Sequence, residues 1–289
     1  MLFLLGLCAS ELTRLRFCAI IKTEVKKSAK CFGYWRRINM IFEKYTLGEP
    51  KNAAYYAVAD MMKDRDIGVS YADMIRYRLG GLALPECRDT YYVAHEDGVA
   101  AARLWNGWGD HADAIGNWGN FFTDEAYRGQ GVGGKLLALW QEDLASRSDM
   151  PLCFLCSAGT RELTDLYRRF GFRVAIEGTD HGPLYMPIGD QPESFRDFCA
   201  AYYQPSDSLI HKRASIGYRH EIDCLLRFAF ADLGLDFGIG EMSYIEKALL
   251  YAPERAGILY SEDGHAVGWS FDGEIQVHPR YSGAKIEKI

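Results

Sequence analysis

Cysteine is scarce and scattered: eight residues, at 8, 18, 31, 87, 153, 156, 199 and 224 of 289, are too few for a disulfide scaffold. The close pair Cys153 and Cys156 lies in the apolar run Cys153-Phe154-Leu155-Cys156, with no second cysteine or histidine pair at metal-ligand spacing. Buried free thiols are therefore expected in place of a zinc or redox centre, no metal is expected, and the compartment is read as a reducing cytoplasm. Long apolar runs are missing too. Met1 to Leu7 is too short to span a bilayer and has no positive leader, so no membrane span is expected. Positive charge is in deficit, with 33 Lys and Arg against 39 Asp and Glu, for a net −6. Residues 1–39 carry eight basic against two acidic residues, a local +6 that leaves −12 on the remainder. Such an acidic body argues against a nucleic-acid partner.

Glycine, by contrast, is concentrated. Asn117 to Gly134 reads NWGNFFTDEAYRGQGVGG: an aromatic strand, a turn with four glycines in six positions, and a helix start at Lys135-Leu136-Leu137. Glycines let a ligand approach the backbone, and the first N–H groups of a helix favour an anion. Arg128 adds a charge suited to phosphate oxygens. The turn is built for phosphate or pyrophosphate. A Walker loop is excluded because Lys135 is followed by Leu136, with no hydroxyl for magnesium. Gly129-Gln130-Gly131-Val132-Gly133-Gly134 has the letters of a dinucleotide fingerprint, but Asp149 lies in a polar connection instead of closing a strand as a ribose ligand would.

Arg128, Gly131 and Val132-Gly133 resemble the R/Q-x-x-G-x-G/A signature of the GNAT superfamily of N-acyltransferases. Leu166-Tyr167-Arg168-Arg169-Phe170-Gly171-Phe172 resembles its second mark, a tyrosine near a helix end closed by Gly-Phe. The resemblance covers roughly residues 40 to 188. It implies an N-acetyltransferase moving an acetyl group from acetyl-CoA to a primary amine of a small molecule or peptide. The other reading is a catalytically silent module that binds coenzyme A or a protein partner.

The expected fold is α/β: a mixed, mostly antiparallel sheet flanked by helices, with a smaller α+β C-terminal unit. Residues 1–39 are read as a basic extension outside the fold, 40–189 as the acyltransferase domain, and 190–289 as a partial repeat of it. The patterning predicts a strand at 41–47, helices at 52–64 and 71–79, and a hairpin at 91–95 and 99–105 around Glu96-Asp97-Gly98. A polar loop is expected over 106–116, either solvated or substrate-binding. Val132, Leu136, Trp140 and Leu144 mark one helix face, and a buried strand follows at 150–156. Thr160 is the expected N-cap of a helix with Leu163, Leu166, Tyr167 and Phe170 on one face and Gly171 at its stop; strands follow at 172–176 and 184–188.

Amide formation needs a base for the amine, donors for the oxyanion and an acid for the thiolate. The resemblance implies that Phe121, Phe122 and Thr123 lie on the strand pairing with the pantetheine arm. It implies that Arg128, Gly129, Gln130, Gly131, Val132, Gly133 and Gly134 hold the pyrophosphate, that Thr160 stands in for an asparagine that bonds the pantetheine, and that Tyr167 protonates the thiolate. Spacing alone would make Tyr167 one more core aromatic. For the base, Asp110, His111, Asp113, Asp124 and Glu125 all stand open.

Beyond the linker at 190–193, helices are expected at 194–203, 220–233 and 241–250, then a hairpin at 257–261 and 265–271 around Glu262-Asp263-Gly264. Tyr281 and Gly283 correspond to Tyr127 and Gly129, as in the front half of a second unit. Ser282, Lys285 and Glu287 replace Arg128, Gly131 and Gly133, so this half is not expected to bind coenzyme A. Its open sheet edge would be covered by the first domain or by a second copy in a homodimer.

Overall fold

The computed structural model describes residues 39–46, 86–229, 233, 248, 249 and 251–289. All of the expected 1–39 extension but Asn39, the helices at 52–64 and 71–79, and most of that at 241–250 lie outside the described residues.

Strand β1 (Ile41–Thr46) pairs antiparallel with β2 (Cys87–Glu96), which turns into β3 (Val99–Gly109). The turn residues Asp97 and Gly98 have φ of 50° and 77°, the left-handed conformations that match a two-residue hairpin to strand twist. Strand β3 continues through Asn106 to Gly109, so the first part of the expected polar loop is strand. Asn106 is fully buried opposite Trp118, a placement that its polarity conceals in the sequence.

Strand β4 (Gly116–Thr123) pairs antiparallel with β3, and β5 (Cys153–Ala158) lies parallel to β4. Strand β5 starts later than expected because Pro151 has no N–H to give a ladder. Strands β6 (Arg173–Val174) and β7 (Gly182–Pro187) complete a seven-stranded sheet in the order β1-β2-β3-β4-β5-β7-β6. With β4–β5 its one parallel pair, this sheet is mixed and mostly antiparallel.

Helix α1 (Val132–Ser146) buries Val132, Leu136, Leu137 and Trp140, and Leu144 packs at the margin of the same cluster. Trp140 is wholly enclosed and stacks on Phe172 with centroids 6.2 Å apart; truncating it to Ala would cost about 3–5 kcal/mol. Helix α2 (Arg161–Arg168) begins at Thr160, whose hydroxyl accepts the Leu163 N–H at 3.3 Å, and stops before Gly171 at φ 98°. One expected face residue is misplaced: Leu163 is 39% exposed, while Thr164 beside it is buried and bonds the Thr160 carbonyl at 3.1 Å. The buried stripe runs through Thr164 and Tyr167, so its neighbour Leu163 falls outside it.

The C-terminal half contributes α3 (Phe195–Tyr202), β8 (Ser208–Arg213) and α4 (Arg219–Cys224), which runs into a π-helical turn at Leu225–Ala229. Strands β9 (Ala256–Tyr260) and β10 (Ala266–Phe271) form the expected hairpin. Strands β11 (Glu274–Val277) and β12 (Lys285–Lys288) finish a second sheet, in the order β11-β10-β9-β8-β12.

Alternation along β5 separates two cores. Phe154 and Cys156 join Trp118, Leu136, Trp140, Tyr167 and Phe172 on the α1 and α2 face. Cys153 and Leu155 join Ile115, Tyr185, Phe198, Leu225 and Ile258, a continuous apolar body shared with the C-terminal half. Cys87, Cys153, Cys156, Cys199 and Cys224 are buried and form no disulfide among the described residues.

Candidate active site

The parallel pairing of β4 with β5 covers two residue pairs, Gly116 with Phe154 and Asn117 with Leu155, and then stops although both strands run on. The strands part there and leave a fork. On its far side β4 stays paired with β3, but through a bulge: the register shifts between Arg103 and Trp105, and Asn120 has φ 55°. One extra residue on β4 re-aims the segment Phe121–Thr123 along the fork.

The glycine turn follows a short 3-10 helix at Glu125–Tyr127. Gly129 and Gly131 have φ of 73° and 75°, and Gly131 is the N-cap of α1. The first helical bond runs from the Lys135 N–H to the Gly131 carbonyl at 3.1 Å. The N–H groups of Val132, Gly133 and Gly134 therefore have no carbonyl behind them within the helix. A Cβ at Gly129, Gly131 or Gly134 would meet nothing within 4 Å, so this backbone faces open space that a phosphate can occupy. Gly133 differs: a Cβ there would lie 3.0 Å from the Phe121 ring and the Thr123 hydroxyl, so its bareness lets α1 start hard against β4.

Side chains of the turn mostly shape it. Arg128 Nε donates to the Thr123 carbonyl at 3.0 Å, and its guanidinium lies 5.7 Å from the Phe122 centroid and 3.5 Å from Glu125. Arg103 lies over the same Phe122 ring at 4.7 Å. Gln130 Nε2 donates back to the Ala126 carbonyl at 2.8 Å. Val132 is buried beneath the turn.

Tyr167 comes up from α2 into the fork. Its ring stands edge-on to Trp118 at 4.7 Å and to Phe121 at 6.2 Å. Among the described residues its hydroxyl makes no hydrogen bond, and burial pushes its pKa well above the usual tyrosine value, with Cys156 adding to the rise. The phenol is held protonated. Phe121, Thr123, Gly133 and Tyr167 thus converge, whereas Thr160 uses its oxygen as the α2 cap and its hydroxyl bonds the Glu162 carboxylate, whose pKa is lowered by its own backbone N–H and by that hydroxyl.

Of the five candidate bases, four are surface or turn groups. Asp110 pairs with Arg88 at 2.6 Å, Asp113 is exposed, Asp124 caps the Ala126 N–H at 2.9 Å, and Glu125 is 86% exposed. His111 is drawn inward: it stacks on Tyr218 at 4.2 Å, with Nε2 3.4 Å from Glu221 Oε1.

Sequence reasoning missed a buried polar cluster on the opposite face of the fork. Asp89 of β2 accepts from Trp105 Nε1 at 2.8 Å and from Arg219 of α4. Arg219 Nε donates to His220 Nε2 at 3.0 Å, so Nδ1 carries the imidazole proton and donates to Asn117 Oδ1 at 2.6 Å. Asn117 Nδ2 donates to Asp223 at 2.6 Å, and Asp223 is held by Arg227. Glu221 accepts the Ile115 N–H at 2.8 Å. Burial raises its pKa to about 7, against the opposing pull of His111 and of that N–H. Nothing local announces these partners, because Asn117 and His220 are 103 positions apart.

Residues 87–174 match the family model described as an acetyltransferase (GNAT) domain. The chain therefore carries a GNAT-type domain over the segment that holds the fork, the glycine turn and Tyr167, a domain of the acyl-CoA N-acyltransferase kind. Similar solved structures include the Escherichia coli GNAT-family N-acetyltransferase YhbS in complex with CoA, at 16% identity and TM-score 0.40, covering 55% of this chain and 87% of that one. Escherichia coli ElaA is 19% identical with TM-score 0.40, covering 51% and 99%. An acyl-CoA N-acyltransferase from Pseudomonas aeruginosa is 20% identical with TM-score 0.37, covering 51% and 99%. No curated protein matches the chain. Among the described residues no helix is long and apolar enough to cross a membrane, and no group of His, Cys, Asp or Glu is placed to hold a metal ion.

Proposed function

We propose that this protein is an N-acetyltransferase that moves an acetyl group from acetyl-CoA to a primary amine of a small molecule or peptide. The observation that carries this reading is the meeting, in one fork, of an open glycine turn and a protonated tyrosine whose hydroxyl makes no hydrogen bond among the described residues. The turn at Gly129–Gly134 supplies helix N–H groups to the pyrophosphate. The freed edge of β4 over Phe121–Thr123 pairs with the pantetheine amides, and a backbone N–H of that stretch polarises the thioester carbonyl. The neutral amine, its ammonium proton already given to solvent, attacks that carbon. The tetrahedral intermediate collapses with cleavage of the carbon–sulfur bond as Tyr167 gives its proton to the departing thiolate, and the proton lost from the new amide nitrogen returns through solvent to the tyrosinate. The acid needs a phenol that stays protonated at neutral pH, which burial supports.

We read residues 190–289 as a partial repeat that no longer binds coenzyme. In its support, β8, β9, β10 and β11 are ordered and paired as β1, β2, β3 and β4 are, and β4 and β11 each lead into a 3-10 turn capped by the residue before it, Asp124 or His278. Lys285 and Glu287, at the places of Gly131 and Gly133, stand on strand β12 and build no phosphate turn. Residues 1–39 are read as an extension outside the fold. The buried cysteines, outside any disulfide among the described residues, support the reading of a reducing cytoplasm.

The test is release of free thiol from acetyl-CoA with a panel of polyamines, aminoglycosides and lysine peptides, followed by mass spectrometry of the product. An amide product supports the reading. Tight coenzyme binding with no thiol release for any amine, including those of a metabolite extract, would favour a silent coenzyme-binding module.

A further inference from the structure

The coenzyme reading leaves one requirement unmet within the matched domain: something must set the opening of the fork. From Trp118 onward β4 is paired on one side alone, through a bulge at Asn120, and such a strand twists easily. Its angle is decided at Asn117, the last residue that β5 still pairs.

Both ends of the Asn117 amide are taken by helix α4. His220 donates to its oxygen and Asp223 accepts from its nitrogen, each at 2.6 Å. The same helix reaches Asp89 of β2 through Arg219 and the Ile115 N–H through Glu221, while the Arg219 guanidinium lies 5.8 Å from the Trp105 centroid of β3. One short helix is therefore tied to β2, β3 and β4 at a single level of the sheet. Every residue of α4 is buried, including Arg219, Glu221 and Asp223. Burying charge in this way is a poor route to stability when apolar residues would pack as well, but it fixes geometry. The π turn that follows places Arg227 on Asp223, so the acceptor of the Asn117 amide is itself held. Close backbone contact completes the joint: a Cβ on Gly109 would lie 2.2 Å from the Gly217 carbonyl.

We propose that the C-terminal half braces the fork, with Asn117, His220 and Asp223 as positioning residues that hold β4 at the opening the pantetheine arm requires. The proposal rests on the coenzyme reading above. It assigns work to a half that binds no coenzyme itself: its helix is the counterpart that fixes the donor strand of the first half.

The test compares two probes on the full chain by titration calorimetry: coenzyme A, which needs both the glycine turn and the fork, and adenosine 3′,5′-bisphosphate, which needs the turn alone. His220→Leu is expected to weaken coenzyme A about tenfold, the scale of one lost buried hydrogen bond, and to leave the bisphosphate unchanged. His220→Asn, which keeps a donor near the Nδ1 position, is expected to stay within about twofold of wild type for both. Asn117→Asp is a near-isosteric second variant that sets a carboxylate against Asp223, and it should behave as His220→Leu does if that variant fails to fold. Unchanged coenzyme A affinity in folded variants, or equal losses for both probes, would overturn the brace. Wild type that binds no coenzyme A would remove the coenzyme reading and the brace with it.

Discussion

The Tyr167 ring stands edge-on to Trp118, 4.7 Å between centroids, one residue beyond the point where β4 and β5 cease to pair. A tyrosine packed in this way can be core filler or an acid, and the two differ in what loss of the hydroxyl does. Tyr167→Phe keeps the ring contacts, so coenzyme A affinity is expected to hold within about twofold while kcat falls about a hundredfold, the low end of general-acid effects. Thiol-release kinetics across pH decide it. Full turnover at every pH would return Tyr167 to the core.

Gly131 caps α1 at φ 75° with nothing near its absent Cβ, so Gly131→Ala meets backbone strain without a clash. The left-handed conformation costs an L-residue about 1 kcal/mol, and relaxing it would turn the helix N–H groups away from the bound anion. Coenzyme A affinity is expected to drop about fivefold or more, with a loss near 1 kcal/mol in urea unfolding. Unaltered affinity would move the pyrophosphate elsewhere.

Thr160 serves α2 through its bond to the Leu163 N–H. Thr160→Ala should cost about 1 kcal/mol of stability, and Thr160→Asn should restore it because asparagine caps as well as threonine. If the hydroxyl also meets the pantetheine, Thr160→Asn recovers coenzyme affinity beyond what Thr160→Val retains.

Glu221 gives a pH dependence with a definite sign. Burial raises its folded pKa to about 7 from the ordinary carboxyl value of 4.5, so the native state holds a proton that the unfolded chain has lost. Its contribution is full below pH 4.5 and is lost as pH rises toward 7, at up to about 1.4 kcal/mol per unit. His278, lowered by burial from 6.5 to about 4, works the other way: its contribution is full above pH 6.5 and is lost as pH falls toward 4. The clean observable is therefore the difference between wild type and Glu221→Gln, which should move in favour of the variant between pH 5 and 7. A constant difference would mean that Glu221 is ionised throughout.

Much of this site is legible in sequence because its signals are local. The glycines at 129, 131 and 133 report a tight turn and a close helix, Asp97-Gly98 reports a hairpin, and Thr160 and Gly171 bracket a helix. The brace is not legible, because nothing local to Asp89, Asn117, Arg219, His220 or Asp223 marks a partner, and folding brings them together from as far as 130 positions apart. Strands β8 and β12 escape for a different reason: Ser208–Arg213 buries Leu209 alone, Lys285–Lys288 is exposed throughout, and their pairing with each other is set by backbone, with no apolar period to show it. Leu163 misleads because in a helix of eight residues one position of rotation changes which side is buried.

Hydrogen–deuterium exchange with and without acetyl-CoA tests the coenzyme assignment most directly. The account expects new protection in two separated stretches, the β4 edge over Gly119–Thr123 and the turn over Gly129–Lys135. Binding that protects neither stretch, or no binding at all, would contradict it.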